Sequence, residues 1–323
     1  MKKTTVALLS GGVSSERDVS LHSGQQVYDA LDKHKYDIRR YDPQTDLARL
    51  VADADGIDIA LIILHGSYGE DGTVQGLLEL LNIPFQGSGV LGSALAMNKD
   101  ATKRLYEKSG LTVPPYIIYD RSDTVDIEGC VAKIGLPLVV KPVQGGSSVG
   151  MSIVRSAADL QAAVDKAAAH DAAVLVEAYI DGTELTVGVI GNRELEALPV
   201  IEIIPDSEHE FFDYEAKYTA GITQEICPAR IDDDLTEKVQ ACAKTAHRAL
   251  FCRGYSRTDM IMKDGEFYIL ETNTIPGMTA TSLLPRAART AGYEFSRLLD
   301  KLIELGLETK KVPEMPRVPL YGA

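Results

Sequence analysis

The sequence predicts a layered α/β protein that opens with a small doubly wound parallel-sheet domain, and three observations predict it. Short β runs alternate with amphipathic helical segments, the pattern of stacked helix and sheet layers. The earliest β runs, 5–9 and 59–64, are almost wholly apolar, as parallel strands covered on both faces must be. Beyond the helix at 99–109 the texture changes to hairpin-like strand pairs joined by glycine turns, which signals antiparallel α+β structure. No self-similarity recurs at periods of about 20–50 residues, so a repeat architecture is excluded.

Taken in order, the first third reads as strand 5–9, helix 19–31, strand 59–64 and helix 73–81, and this domain is expected to end near Ala96. Ligands in such domains sit at the carboxyl ends of the strands. Two loops fall there, running from Ser10 to Glu16 and from His65 to Gly72. After the helix at 99–109, strands 138–141 and 151–154 flank a glycine loop. A helix at 157–169 follows, with Ser156 and Asp159 placed as a capping box. Strand 174–177 turns at Asp181-Gly182 into strand 184–190, and strand 195–204 leads to a long loop, 205–221. Helix 233–251 carries Leu235, Val239, Cys242, Ala246 and Leu250 on one face. A hairpin, 257–263 and 266–273, precedes two C-terminal helices, and the tail beyond Lys310 contains Pro313, Pro316 and Pro319.

Composition narrows the function. The 323 residues carry 33 Lys and Arg against 47 Asp and Glu, a net charge of −14. Phosphate repulsion opposes a broad nucleic-acid interface at that charge, although a few lysines can still hold a small anion. The strongest aliphatic run, Ile59 to Leu64, spans six residues, against about 20 needed to cross a bilayer. The apolar stretch after Lys2-Lys3 stops at Ser10-Gly11-Gly12, too short for a signal peptide, so a cytoplasmic location is expected. Cys130, Cys227, Cys242 and Cys252 form neither a C-x-x-C pair nor zinc spacing and read as reduced thiols.

Two glycine patterns mislead. Gly87 to Gly92 fits G-x-G-x-x-G, but Pro84 breaks the segment before it and the region 20 residues on reads as helix, not as a second strand ending in an acid. Gly145 to Ser152 has Walker A glycine spacing, yet Met151 replaces the lysine and a strand follows. The loop from Lys141 to Gly150 does suit an anion, because consecutive backbone N–H groups can wrap phosphate and Lys141 adds a charge. A solvated turn is its plainer reading. Arg257, Asp259, Glu271 and Asn273 occupy odd positions in two adjacent strands, so each pair shares a face of its strand. Two carboxylates and an amide suit Mg²⁺ with room left for phosphate oxygens, while an Arg257 salt bridge is the structural alternative. His65 stands at a strand end as a candidate base or a structural histidine, and Asp71 is placed to cap the next helix. Lys99 opens a helix, and Lys217-Tyr218 lies in the long loop, where a lid is one reading.

Together these residues resemble the D-alanine–D-alanine ligases of the ATP-grasp superfamily. The resemblance rests on His65-Gly66-x-x-Gly69-Glu70-Asp71-Gly72, Lys141-Pro142 with Gly146 to Gly150, Asp213 to Tyr218, Arg257-x-Asp259, and Glu271-x-Asn273-Thr274-x-Pro276-Gly277-Met278-Thr279, in order along nearly the whole chain. Gln144-Gly145 and Thr272 depart mildly from the usual pattern. The resemblance implies an ATP-grasp fold: an N-terminal domain at 1–97, two α+β lobes at 98–183 and 184–309 enclosing ATP, and a tail at 310–323. It implies that Lys99, Lys141, Ser147, Ser148 and Lys217 meet ATP, that Glu177 with Ala178 to Ile180 lines the adenine pocket, and that Glu184 holds the ribose. It implies that Asp259, Glu271 and Asn273 hold two Mg²⁺ ions, for which Mn²⁺ can substitute. Glu16 would pair with the ammonium of the first D-alanine near His65. Arg257 and the Gly277 N–H would polarise the reacting carbonyl, Ser282 and Leu283 would receive the second carboxylate, and Ser147, Tyr218 and Glu16 would link lid, glycine loop and N-terminal domain. The implied activity is ATP-dependent formation of D-alanyl-D-alanine for peptidoglycan precursors through a D-alanyl phosphate, by a homodimer with no nucleic-acid or membrane partner. A same-fold ligase using D-lactate or D-serine is the alternative.

One geometric expectation follows from the metal residues. For Asp259 to face Glu271, and Arg257 to face Asn273, the last hairpin needs a three-residue loop, Asp264-Gly265-Glu266, with Lys263 opposite Phe267.

Overall fold

The computed structural model describes residues 2–146, 149–205 and 223–308, and these form three sheets. In the first, β1 (Thr4–Leu9) lies between β2 (Tyr36–Tyr41) and β3 (Ile59–Ile62), all parallel. Val6, Leu8, Ile59 and Leu61 are buried on one face, and Ala7, Leu9, Ala60 and Ile62 on the other. Helix α1 (Arg17–Ala30) packs on the first face through Val27, and α3 (Thr73–Leu80), which follows the short α2 (Leu47–Asp53), packs on the second through Val74 and Leu78. β2 carries no strand signal in the sequence. It is an edge strand whose two end tyrosines are buried while its polar middle is not, so it lacks the apolar run of its neighbours.

The second sheet is antiparallel, in the order β4 (Tyr116–Asp120), β7 (Ala173–Ala178), β5 (Leu138–Pro142), β6 (Ser152–Val154). Its core is its own: Leu138, Val140, Val174 and Val176 meet Cys130 of α6 (Ile127–Ile134) and Leu160 and Val164 of α7 (Leu160–Ala168). The expected helix 157–169 begins as a tight 3₁₀ turn at Ala157–Asp159, where Ser156 accepts from the Ala158 N–H at 3.4 Å. β5 and β6 pair antiparallel, so the glycine loop joins the two strands of a hairpin, as expected.

The third sheet runs β11 (Thr223–Ile226), β10 (Ile201–Pro205), β8 (Thr183–Gly191), β12 (Gly254–Lys263), β13 (Glu266–Asn273), with β9 (Glu196–Ala197) beside β8. The single strand expected at 195–204 is thus two, because Pro199 brings no N–H to a ladder. Helix α8 (Asp233–Ala249) buries Val239, Ala243 and Ala246 under this sheet, joined by Tyr106 of α5 (Lys99–Lys108). Helix α4 (Val90–Met97) precedes α5, and Asn98 caps α5 by accepting from the Ala101 N–H. The G-x-G-x-x-G run is a packing joint: a Cβ on Gly254, at φ +71°, would stand 2.9 Å from the Gly87 nitrogen.

The C-terminal helices α9 (Leu283–Thr290) and α10 (Phe295–Glu308) fasten the first sheet to the third. Leu284, Leu298 and Leu302 share one core with Val6, Leu8 and Leu61 of the first sheet and Ile190 and Ile201 of the third. Tyr36 and Lys35 both donate to Asp300 of α10, at 2.8 and 2.7 Å.

The β12–β13 hairpin corrects one expectation and meets its purpose. Lys263 pairs with Glu266, so the loop is the two-residue turn Asp264-Gly265, with φ of +52° and +81°. Asp-Gly favours this turn because both residues tolerate positive φ. The register then shifts between Asp259 and Met260, and Leu270 is the extra residue of a β-bulge. Asp259 therefore still faces Glu271, and Arg257 still faces Asn273. No helix among the described residues is long and apolar enough to cross a membrane, and the four cysteines are free thiols.

Candidate active site

A cleft opens between the second and third sheets. It is lined by Lys99, Lys141, Gly145, Gly146, Glu177, Ala178, Ile180, Glu184, Asp259 and Glu271, with Val139, Met151, Ile153, Ile261 and Leu270 as its apolar wall. Eight site residues named from the sequence thus meet in one place, from α5, β5, the end of β7 and the segment after it, and strands β8, β12 and β13.

The lysines are fixed from behind. Lys99 Nζ donates to the Gly145 carbonyl at 2.6 Å, placing the first turn of α5 against the glycine loop. Lys141 Nζ lies 2.6 Å from Glu177 Oε1, and the buried Lys103 Nζ lies 2.6 Å from Glu177 Oε2. Burial opposes ionisation of Glu177, but the two ammonium groups prevail and hold its pKa down at about 2. Glu177 is therefore a bridge between two cations at the back of the cleft.

On the facing sheet Arg257 grips Asp259 through Nε and Nη2, at 2.8 and 2.7 Å. Thr186 donates to Asp259 Oδ1 at 2.5 Å, and Asn273 Nδ2 donates to Oδ2 at 3.0 Å. The alternative salt bridge is real, yet it leaves Glu271 on the same face as a second carboxylate. A carboxylate pair with one amide is an oxygen donor set that fits Mg²⁺, which takes one or two carboxylates plus water and phosphate oxygens. Among the described residues no group of three or more His, Cys, Asp and Glu side chains could hold a metal ion.

Glu16 stands before α1 and does not cap it; the carboxylate is buried and turned inward. A Cβ on Gly66 would lie 3.0 Å, and one on Gly146 3.6 Å, from Glu16 Oε2, so both glycines make room for it. His65 is buried, its Nδ1 is 3.2 Å from Glu70 Oε1, and its carbonyl accepts from Ser14 Oγ at 2.6 Å. Burial lowers the His65 pKa, but Glu70 outweighs it and the net shift is upward. Asp71 does not cap α3 as expected: Gly72, at φ +97°, is the N-cap, and the Asp71 carboxylate one residue earlier accepts from the Thr73 and Tyr68 N–H groups, closing the turn before the helix. Ser282 precedes α9, and its Oγ is 2.7 Å from Thr279 Oγ1 and 3.2 Å from the Thr279 nitrogen. Leu283 buries its side chain while its N–H lies in the first turn of α9, where helical N–H groups lack intrahelical partners. A Cβ on Gly277 would stand 3.1 Å from Ser282 Oγ. Ser147, Ser148, Lys217 and Tyr218 lie outside the described residues.

Sequence reasoning misses Lys103, Thr186 and the bulged Leu270. Lys103 was findable, since it follows Lys99 by four residues and so shares a helix face with it. Thr186 carried no such signal, because its partner is 73 residues away.

A glycine loop and two lysines facing a carboxylate pair across two antiparallel lobes define the ATP-grasp class. Models of the D-ala D-ala ligase N-terminus and C-terminus match residues 40–88 and 105–304. The chain belongs to the D-alanine–D-alanine ligase family. It is 60% identical to the D-alanine–D-alanine ligase of Syntrophobacter fumaroxidans, over 95% of this chain and 99% of that one. The crystal structure of D-alanine–D-alanine ligase from Bacillus anthracis complexed with ATP is 37% identical, with a TM-score of 0.84 over 95% of this chain and 99% of that one. VanG D-Ala:D-Ser ligase from Enterococcus faecalis is 34% identical, with a TM-score of 0.80 over 94% and 100%.

Proposed function

We propose that this enzyme joins two D-alanines at the expense of ATP, giving D-alanyl-D-alanine, ADP and phosphate for peptidoglycan precursors. The observation that carries this reading is the single cleft in which Lys99, Lys141, Glu184, Asp259 and Glu271 converge. In this reading residues 1–97 bind the first D-alanine, 98–183 and 184–309 enclose ATP, 310–323 is a tail, and the enzyme is a homodimer.

A carboxylate is a poor acylating agent, because its charge and resonance oppose attack by a nucleophile. The γ-phosphoryl group of ATP passes to a carboxylate oxygen of the first D-alanine, which Glu16 holds by its ammonium beside His65. The product is an acyl phosphate plus ADP. Lys99 and Lys141, with Ser147, Ser148 and Lys217, hold the phosphates. Ala178, Ile180 and the apolar wall take the adenine with Glu177, and Glu184 takes the ribose. Asp259, Glu271 and Asn273 would hold two Mg²⁺ or Mn²⁺ ions, which offset phosphate charge when bound. Ser282 and the Leu283 N–H hold the second D-alanine by its carboxylate. Its free amine attacks the acyl carbon and loses a proton, and the tetrahedral oxyanion faces Arg257 and the Gly277 N–H before phosphate leaves. Each such donor is worth about 2.7–4 kcal/mol. Water would destroy the acyl phosphate, so Tyr218 in its loop is given the task of closing the site with Ser147 and Glu16.

The test is ADP release with Mg²⁺ and D-alanine, repeated with L-alanine and with D-alanine plus D-lactate or D-serine. D-alanine alone is expected to support turnover and dipeptide formation. Turnover that requires D-lactate or D-serine would move the enzyme to the alternative acceptor class, and no ADP with any of them would remove the ligase reading.

A further inference from the structure

We propose that Lys103 is a positioning residue for the nucleotide: by giving Glu177 a second cation from behind, it lets Lys141 leave that carboxylate for the phosphates of ATP. The inference rests on the ligase reading. Lys103 has no exposed surface, and its ammonium touches Glu177 at 2.6 Å and sits 5.3 Å from the centre of the Tyr116 ring. It is absent from the cleft wall, which Lys141 and Glu177 both line. A buried ammonium persists only when paired, and an apolar side chain of similar volume often serves stability as well. Stability therefore gives little reason for a charge here, and the charge count supplies another.

Two cations share the one Glu177 carboxylate, a lysine on each oxygen. Without Lys103, Glu177 and Lys141 would form an exclusive pair in a poorly solvated site, where opposite charges attract strongly. Lys141 could then reach a phosphate only by abandoning an uncompensated buried carboxylate. With Lys103 present, Oε2 of Glu177 stays paired whatever Lys141 does, so Lys141 moves between Glu177 and an anion at small cost.

The experiment compares the equilibrium affinities of the full-length enzyme for ADP and for adenosine in Mg²⁺, together with KM values for ATP and D-alanine. In Lys103→Met the preference for ADP over adenosine should fall by about tenfold or more, the scale expected when a buried ion partner is removed. Adenosine affinity and the KM for D-alanine should stay near wild type while the KM for ATP rises. Equal weakening of ADP and adenosine would reduce Lys103 to a packing residue, and an unchanged preference would overturn the proposal. If K103M does not fold, K103M/E177Q removes the stranded carboxylate, and the ratio cancels any lost adenine contact. That double variant should recover the wild-type preference, and a preference still lost would overturn the proposal. A wild-type enzyme that binds neither ligand would defeat the ligase reading itself.

Discussion

Two buried side chains show how a residue's surroundings decide its task. Glu16 stands at the N-cap position before α1 but places its carboxylate in the space left by Gly66 and Gly146, where the N-terminal domain meets the glycine loop. In the proposed mechanism that carboxylate faces the ammonium of the first D-alanine. Glu16→Gln keeps the shape and removes the charge. The KM for the first D-alanine should rise steeply, in line with the loss of about 2–5 kcal/mol when a buried charge pair is broken. Initial rates over a wide D-alanine range measure this, and wild-type KM and kcat would show Glu16 to be a loop residue only. His247 is buried on α8 with Nδ1 2.7 Å from Ser256 Oγ, and burial, helped by Arg248, lowers its pKa to about 4. The unfolded chain takes up this proton as pH falls through about 6.5, and the folded chain does not until about 4. Stability is therefore greatest above the unfolded value and is lost toward acid. In His247→Gln that component vanishes, so urea unfolding at pH 7 and pH 5 should show a drop smaller than wild type by about 2 kcal/mol. An identical drop in both proteins would mean that His247 titrates normally.

At the scale of elements, the β12–β13 hairpin marks where the sequence was legible and where it was not. Which residues form the strands, and that Asp259 must face Glu271, followed from alternation and from chemistry that needs both carboxylates on one face. The route to that pairing is not legible. A two-residue turn alone would set Asp259 opposite Leu270, and the chain restores the pairing with an extra residue inside β13, not in the loop. Periodicity cannot reveal a bulge, because Leu270 fits an apolar strand as well as any neighbour. The bulge also explains why consecutive residues, Leu270 and Glu271, both line the cleft, which strict alternation forbids. Edge strands fared worse. β2 and β11 carry polar residues at positions no layer covers, and their signal sank below the turn-like background. Lys103 and Thr186 escaped for a different reason, since each matters only through a partner brought close by tertiary packing.

At the scale of the molecule, the change in texture foreshadowed a parallel sheet followed by antiparallel structure, but not how the three sheets group. One core unites the first sheet, part of the third and the two C-terminal helices, whereas the second sheet keeps a core to itself. Segments far apart in sequence thus make one unit, and the cleft lies between that unit and the second sheet. Asp300 is the polar tie of the shared core, buried while accepting from Tyr36 and Lys35. Asp300→Ala strands the Tyr36 hydroxyl, and hydrogen bonds to a charged group are worth about 1.5–3 kcal/mol each. Local opening follows cooperative packing, so the damage should spread along the shared core and stop at its edge. Hydrogen exchange should quicken together in β1 and β3 and, more than 200 residues further on, in α10, while β5 and β7 keep wild-type protection. Faster exchange in β5 and β7 to the same degree would mean that all three sheets open as one. Loss confined to α10 would mean that the helix rests on the first sheet without sharing its stability.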